Sequence, residues 1–274
     1  LVAGPIERAK NLLPQISSRK LFSFHYCKGG VMQIGVGLVK KMVIADTLSL
    51  YVDSIYASYS VHNSITLIFA TWIYAIQIYC DFSGYSDIAI GTAKLFNLSF
   101  VNNFNRPYLS ASITEFWRRW HLSLSSWLRD YLYIPLGGNR NGKIKTYRNL
   151  LITMLLGGLW HGSSWNFVIW GWFHGIMLSI EKYYLQNVEY SLVKNIHIKR
   201  FITFNLVCMA WIFFRSPTLE QSYGIIKIIS SFEMVGGLFI GNINVMAHIV
   251  LGLIIFLLFN KFFDKEGSYN KIIS

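Results

Sequence analysis

The sequence predicts an all-α, multi-pass integral membrane protein, and three observations carry that reading. Of 274 residues, 53% are hydrophobic and only 14% charged, against roughly 45–50% apolar with Gly counted and about 25% charged in a soluble domain. With the 16 Tyr left out and the 21 Gly added, the apolar share is about 55% on that basis, and the mean hydropathy is +0.40. Uncharged runs of helical length recur along the chain, with a cationic stretch set between two of them. A single soluble core cannot hold so much apolar surface without exposed patches, and disorder requires low hydrophobicity.

The net charge is +12. In a soluble chain that balance would point to nucleic acid. Here the basic residues sit between apolar runs, as in cytoplasmic loops of membrane proteins, so a lipid bilayer and no nucleic acid is the expected environment. Cys27, Cys80 and Cys208 form no disulfide framework and no C-x-x-C pair.

Taken in order, residues 1–8 read as the interior of a longer chain. Gly30–Leu50, interrupted by Lys40, Lys41 and Asp46, is expected as a tilted, re-entrant or interfacial helix. Ser64–Cys80 is an uncharged 17-residue run, about 25 Å as helix and near the minimum for a span. Gly84–Leu98, with Asp87 and Lys94, is a second weaker helix. Thr114–Tyr131 reads as one helix capped by Thr114, with Trp117, Trp120, His121, Leu124 and Leu128 on one apolar stripe. Pro135–Gly142 is a turn cluster. From Arg118 to Arg148 seven cations stand against Asp130 alone, half of the net charge, which places this segment on the cytoplasmic side. Leu150–Ile180 is uncharged for 31 residues, about 46 Å as helix and too long for one straight crossing. Phe201–Phe214 spans only if Arg200 and Arg215 snorkel outward, and Met234–Asn260 supplies a last span. Five to seven membrane-embedded helices are expected.

The strongest chemical signal lies inside the 31-residue run, at Leu155-Leu-Gly-Gly-Leu-Trp-His-Gly-Ser-Ser-Trp-Asn166. Gly157, Gly158, Gly162, Ser163 and Ser164 weaken a helix there. Non-helical backbone at membrane depth survives only where protein encloses it or it lines a watery cavity. His161 sits in that break between Trp160 and Trp165, and an intramembrane ionisable group is a functional candidate. The plainer reading is a histidine that bonds two helices together. His174, 13 residues on, is its rival on a roughly opposite helical face. His121 reads either as an interfacial histidine on a backbone carbonyl or as part of the same cavity. Asp81 and Asp87 could line a cavity, although helix-cap or loop roles are simpler.

Several catalytic patterns are missing. Gly84-Tyr-Ser-Asp-Ile88 lacks the closing Gly of a nucleophile elbow. No His-Glu-x-x-His, zinc-spaced Cys/His set, Walker loop or G-x-G-x-x-G occurs, so neither a metal nor a bound cofactor is expected. The H-x-x-x-x-D acyltransferase pattern is absent too, since Ser126 follows His121 and Asn166 follows His161 at that offset. One or two histidines in a Trp-lined cavity over a cationic face suit group transfer from a thioester to a hydroxyl. A neutral imidazole can take the hydroxyl proton near neutral pH, and the cationic face would attract an anionic donor.

The segments Phe104-Asn-Arg-Pro-Tyr108, Phe116-Trp-Arg-Arg-Trp-His-Leu-Ser-Leu-Ser-Ser-Trp-Leu-Arg-Asp-Tyr131, Ile134-Pro-Leu-Gly-Gly-Asn-Arg140 and Gly158-Leu-Trp-His-Gly162 together resemble the membrane-bound O-acyltransferase (MBOAT) family. The branch they look most like is the membrane subunit of alginate O-acetylation. Leu1–Arg8, Lys40–Asp46 and Tyr79–Asp87 are similar to that branch as well, so the likeness covers nearly all of residues 1–184 and becomes generic beyond about 215. The resemblance implies a helical ring of broken helices around a central funnel, residues 1–274 being one membrane-embedded region preceded by further helices. It matches His161 to the family's invariant histidine, taken as catalytic base, and His121 to its second histidine. It further implies a cytoplasmic thioester donor (acetyl-CoA or an acyl carrier protein), a glycan acceptor and an extracytoplasmic acetyltransferase-type partner protein, in the bacterial cytoplasmic membrane. Trp117, Trp120, Trp160 and Trp165 are expected as cavity walls, with Arg118 and Arg119 near the donor mouth. D-alanyl transfer from a carrier protein, a transporter and a scaffold for a soluble acetyltransferase stand as the alternatives.

Overall fold

A computed structural model describes residues 4–18, 21–187, 194–232, 238–241 and 243–262, and all regular structure among them is helical. The chain divides into two compact units. One comprises Leu1–Ser58, Ile68–Asn103 and Gly236–Ser274, the other Tyr59–Leu67 and Phe104–Val235.

The first unit begins with the short amphipathic helix α1 (Ala9–Ser17). Then α2 (Phe24–Leu38), a π-helical stretch (Val39–Ala45) and α3 (Asp46–Ala57) follow without interruption. Ser23 starts α2 by accepting the Tyr26 N–H. The two stretches read separately from sequence, Ser64–Cys80 and Gly84–Leu98, are one helix, α4 (Ser64–Leu95). Its 32 residues run about 48 Å, because Asp81, Asp87 and Lys94 do not break it. The two aspartates are tolerated because they are paired. Asp87 is buried and accepts from Lys40 Nζ at 2.7 Å and Gln33 Nε2 at 3.1 Å. Lys41 pairs with Asp81 and, at 3.0 Å, with Asp46. Both aspartates are therefore mid-helix ion-pair partners, neither caps nor loop residues. Above and below Asp87, Gly30 meets Gly91 and Gly37 meets Gly84, where an added Cβ would come within 2.6–2.7 Å of the facing carbonyl. This is the small-residue packing by which membrane helices approach closely. Helix α11 (Ile243–Phe262) lies on α3 through Gly252 against Leu48. Most of the expected span before Ile243 falls outside the described residues.

The second unit holds α5 (Ile113–Trp117), α6 (Leu122–Leu128) with a π-helical turn (Arg129–Tyr133), and α7 (Lys143–Trp160). After these come α8 (Trp165–Asn187), α9 (Ile196–Arg215) and α10 (Leu219–Ser231). The expected single helix Thr114–Tyr131 is broken. Ser112, not Thr114, caps its first part: Ser112 Oγ accepts the Glu115 N–H at 3.1 Å while Glu115 Oε2 takes the Ala111 N–H at 2.7 Å, a reciprocal arrangement close to a capping box. Burial opposes ionisation of Glu115, yet the Ala111 N–H and the Arg119 guanidinium hold its carboxyl below the usual carboxylate range. The helix stops because the Arg119 carbonyl accepts from Asn105 N at 2.9 Å and the Trp120 carbonyl from Ser125 Oγ at 3.1 Å. His121 then adopts φ +44°, a region costly for a residue with a Cβ. The apolar stripe survives the break, with Trp117, Trp120, His121, Leu124 and Leu128 all buried.

The 31-residue run is a helical hairpin. Its two arms, of 18 and 23 residues, extend about 27 Å and 35 Å and reverse over His161–Ser164. They touch backbone to backbone: a Cβ on Gly158 would run into the Phe167 carbonyl, one on Gly171 into that of Met154, and one on Gly175 would meet Leu151 Cα at 3.0 Å. Among the described residues two helices, Ser64–Leu95 and Ile196–Arg215, are long and apolar enough to cross a membrane.

The Lys40–Asp87 pair, buried at Asp87 and half-buried at Lys40, generates a stability prediction. Lys40→Ala leaves the Asp87 carboxylate buried without its cation and should cost about 3 kcal/mol, and Asp87→Ala strands the half-buried Lys40 ammonium at a smaller cost, both read as a fall in the unfolding midpoint in detergent. The double change to Met and Leu should cost less than either single change; equal or greater loss would show that the pair is not coupled.

Candidate functional site

The second unit gathers three histidines around a continuous aromatic cluster. His161 is the residue at which α7 ends; its backbone N–H donates to the Gly158 carbonyl at 3.0 Å. Gly162 follows with φ +152°, a conformation that glycine adopts readily, and Ser164 Oγ accepts the Asn166 N–H at 3.3 Å to start α8. Asn166 closes the corner from below. It is buried, donates to the Ser216 carbonyl at 2.6 Å and accepts from Ser222 Oγ at 3.2 Å, tying the start of α8 to the α9–α10 junction.

The His161 imidazole is half-buried and its ring makes no hydrogen bond to any described residue. It is held by rings alone: Phe214 at 5.0 Å, Trp160 at 5.1 Å and Trp170 at 5.2 Å between centroids, each close to edge-on, and Phe167 at 6.0 Å. His121 is buried, with Nδ1 3.5 Å from Ser123 Oγ and its ring 6.4 Å from Trp160. Trp160 thus touches both histidines. His174 is fully buried one helix turn beyond Trp170, whose ring lies 5.0 Å away. Among the described residues no group of three or more His, Cys, Asp or Glu is placed to hold a metal ion.

The expected walls separate into two groups. Trp117 and Trp120 are buried within the cluster, Trp117 against Trp170 at 5.8 Å and Trp120 against Trp211 at 5.1 Å. Trp160 is 49% exposed at the hairpin tip and still contacts both imidazoles, whereas Trp165 is 70% exposed and stands outside the cluster. Trp170 and Phe214 take the place against His161 that Trp165 was expected to share, and Trp211 packs behind them, 6.0 Å from Trp170 and 5.2 Å from Phe214. The signal for Trp211 and Phe214 was their spacing of three, which puts both on one face of α9. The arginines also differ. Arg118 is exposed, whereas Arg119 is drawn inward by Glu115 at 2.7 Å and the Asn105 carbonyl at 3.4 Å, holding the segment before α5 in place.

The cationic turn is built by one residue that the sequence reading passed over. Asn149, fully buried on α7, donates from Nδ2 to the carbonyls of Leu136 and Gly138, both at 3.0 Å, and accepts from the Arg148 guanidinium at 3.1 Å. Gly137 and Gly138 both adopt positive φ, which curls the chain around that side chain. Arg140, Lys143, Lys145 and Arg148 are left exposed beside it.

A family model described as membrane-bound O-acyltransferase matches residues 1–218. The probable alginate O-acetylase AlgI of Pseudomonas aeruginosa is 41% identical over 285 residues, covering 99% of this chain and 51% of its own. The peptidoglycan O-acetyltransferase of Helicobacter pylori is 39% identical over 83% of this chain and 44% of its own, and the teichoic acid D-alanyltransferase of Streptococcus thermophilus 33% over 52% and 40%. The chain therefore spans about half the length of the curated relatives it matches.

Asn149→Ala removes both bonds that hold the Leu136 and Gly138 carbonyls. Trypsin should then cut after Arg140 and Lys143 several times faster than in the unaltered protein, the loss of a buried partner being worth about 1–3 kcal/mol. An unchanged cleavage rate would mean the turn is held by something else.

Proposed function

The chain belongs to the membrane-bound O-acyltransferase family, and we propose that it takes part in moving an acetyl group from a thioester donor toward cell-surface polysaccharide, with His161 as general base. The observation that carries this reading is the state of His161. It is a half-exposed imidazole, fixed by rings on several sides, with no hydrogen bond from a described residue to occupy its ring nitrogens.

In the proposed step a ring nitrogen of His161 takes the proton of the acceptor hydroxyl as its oxygen attacks the thioester carbonyl carbon. The tetrahedral intermediate collapses with cleavage of the C–S bond, and the thiolate takes the proton back from the imidazolium. General-base assistance of this kind contributes about 10²–10⁴-fold. His121, buried and joined to His161 through Trp160, acts on the orientation of donor or acceptor through the Trp160 ring and without touching either. Trp117 and Trp120 support the wall, and Trp160 lines the approach. The donor is a cytoplasmic acetyl-CoA or acyl carrier protein thioester, drawn to Arg118 and the exposed cations at 140–148 by long-range attraction. Arg119, already paired with Glu115, is the weaker candidate for that role. We place the protein in the bacterial cytoplasmic membrane as a multi-pass chain of a helical ring, working with an extracytoplasmic acetyltransferase-type partner and a glycan acceptor.

Acetyl is favoured over D-alanyl because the relatives named for O-acetyl transfer share more identity and cover more of this chain than the teichoic acid D-alanyltransferase. A transporter would need no proton-abstracting group, so it differs in what it asks of His161.

The protein with its native N-terminal and C-terminal context, expressed in its own cell beside the His161→Ala and His161→Gln variants at equal membrane abundance, tests the reading. Ester-linked acetate on the surface polysaccharide should fall to background in both variants while polymer output is unchanged. Acetate retained at the unaltered level would move the chemistry to another protein.

A further inference from the structure

His174 is not used by the chemistry above, and its surroundings are unusual for a polar side chain. It is fully buried on α8, stacked on Phe116 at 6.1 Å with 5° between planes, and meets Trp170 at 5.0 Å, Trp117 at 5.2 Å and Phe173 at 6.0 Å nearly edge-on. Its one hydrogen bond to a described residue is accepted at Nδ1 from Trp117 Nε1 at 3.3 Å, while Nε2 is buried without a partner among them. An indole N–H can only donate, so Nδ1 carries the lone pair and a neutral ring holds its proton on Nε2. A phenyl ring would fill the same box without burying an unsatisfied N–H, which is costly. The polar edge that remains useful is the Nδ1 acceptor.

What that acceptor holds leads back to the proposed base. Trp117 lies 5.8 Å from Trp170, and Trp170 lies between the two histidines, 5.0 Å from His174 and 5.2 Å from His161. We propose that His174 is a positioning residue for His161: its Nδ1 anchors the Trp117 indole, and the two rings together set Trp170, against which the His161 imidazole stands edge-on. The inference rests on His161 acting as base. A tilt of that imidazole displaces the nitrogen that takes the proton and leaves donor binding untouched, so the loss falls on kcat and not on KM.

Asn and Leu have the same branched shape, but only Asn presents an acceptor where Nδ1 stands. Membranes holding the protein in its native context, supplied with acetyl-CoA and de-esterified surface polysaccharide, are assayed for polysaccharide-dependent thiol release. His161→Ala should abolish this release; release that persists overturns the base reading and this inference with it. With His161→Ala inactive, His174→Leu should lower kcat about ten- to hundredfold at unchanged KM for acetyl-CoA, whereas His174→Asn should stay within about threefold of the unaltered protein. Equal loss in the two variants, or a smaller loss in Leu than in Asn, overturns the inference and leaves the base reading standing. Trp117→Phe, which removes the N–H and keeps His174, should reproduce the Leu effect on kcat, and in that background the Asn and Leu variants should become equal. An unchanged kcat in Trp117→Phe also overturns it.

Discussion

At Gly158 and Gly171 the backbones of α7 and α8 touch, because neither residue has a Cβ to hold off the facing carbonyls of Phe167 and Met154. Contact this close needs small residues, and between membrane helices it is one of the main sources of association. It also dictates the geometry of the reversal. Two arms at minimal separation can be joined by the short segment 161–164, and Gly162 supplies the backbone angle for it. His161 is therefore held at a helix end by the hairpin itself, and Trp170, on the α8 arm just past the contact, is brought against its ring. Beside it the N–H groups of His161 and Gly162 donate to the Gly158 and Leu159 carbonyls, and Ser164 Oγ accepts the Asn166 N–H, so the chain reverses with these donors paired.

Access divides the three histidines into distinct parts. His121 and His174 are sealed, and His161 alone among them is reached from outside the cluster. An aromatic surround suits this division, since ring edges and faces fix the orientation of an imidazole without competing for its lone pair. The strained backbone at His121, with φ +44°, fits the same pattern: a conformation that costs energy persists where surrounding contacts hold the residue in place. Here the Asn105 N–H and the Ser125 hydroxyl draw the helix carbonyls away and turn the chain at that point.

Much of this was legible in the residue order, for physical reasons that can be named. The excess length of Leu150–Ile180 over a bilayer, together with its glycines and serines, located the break at His161. The period of Trp117, Trp120, His121, Leu124 and Leu128 located a buried face. What periodicity could not show is that the face survives an interruption of the helix, because burial depends on where side chains end and not on which hydrogen bonds the backbone makes. Ser112 was passed over as cap because Thr114 offered an equally good oxygen. Asp81 and Asp87 read as cap or loop residues because their lysine partners lie about 40 residues or more away in sequence, across a glycine contact that only the fold brings together. Trp170 and Phe214 acquire meaning only from the hairpin and from α9, and Asn149 only from the carbonyls of a turn that curls around it.

Carbethoxylation mapping tests most directly whether His161 is the one working imidazole of the cluster. The membrane-embedded protein would be treated with diethyl pyrocarbonate, with and without a saturating acetyl thioester, and the modified histidines located by mass spectrometry alongside residual transfer activity. Of His121, His161 and His174, only His161 should be modified, its modification tracking the loss of activity and slowing when the thioester is present. Full activity with His161 quantitatively modified, or activity lost while His161 stays unmodified, would contradict the central claim.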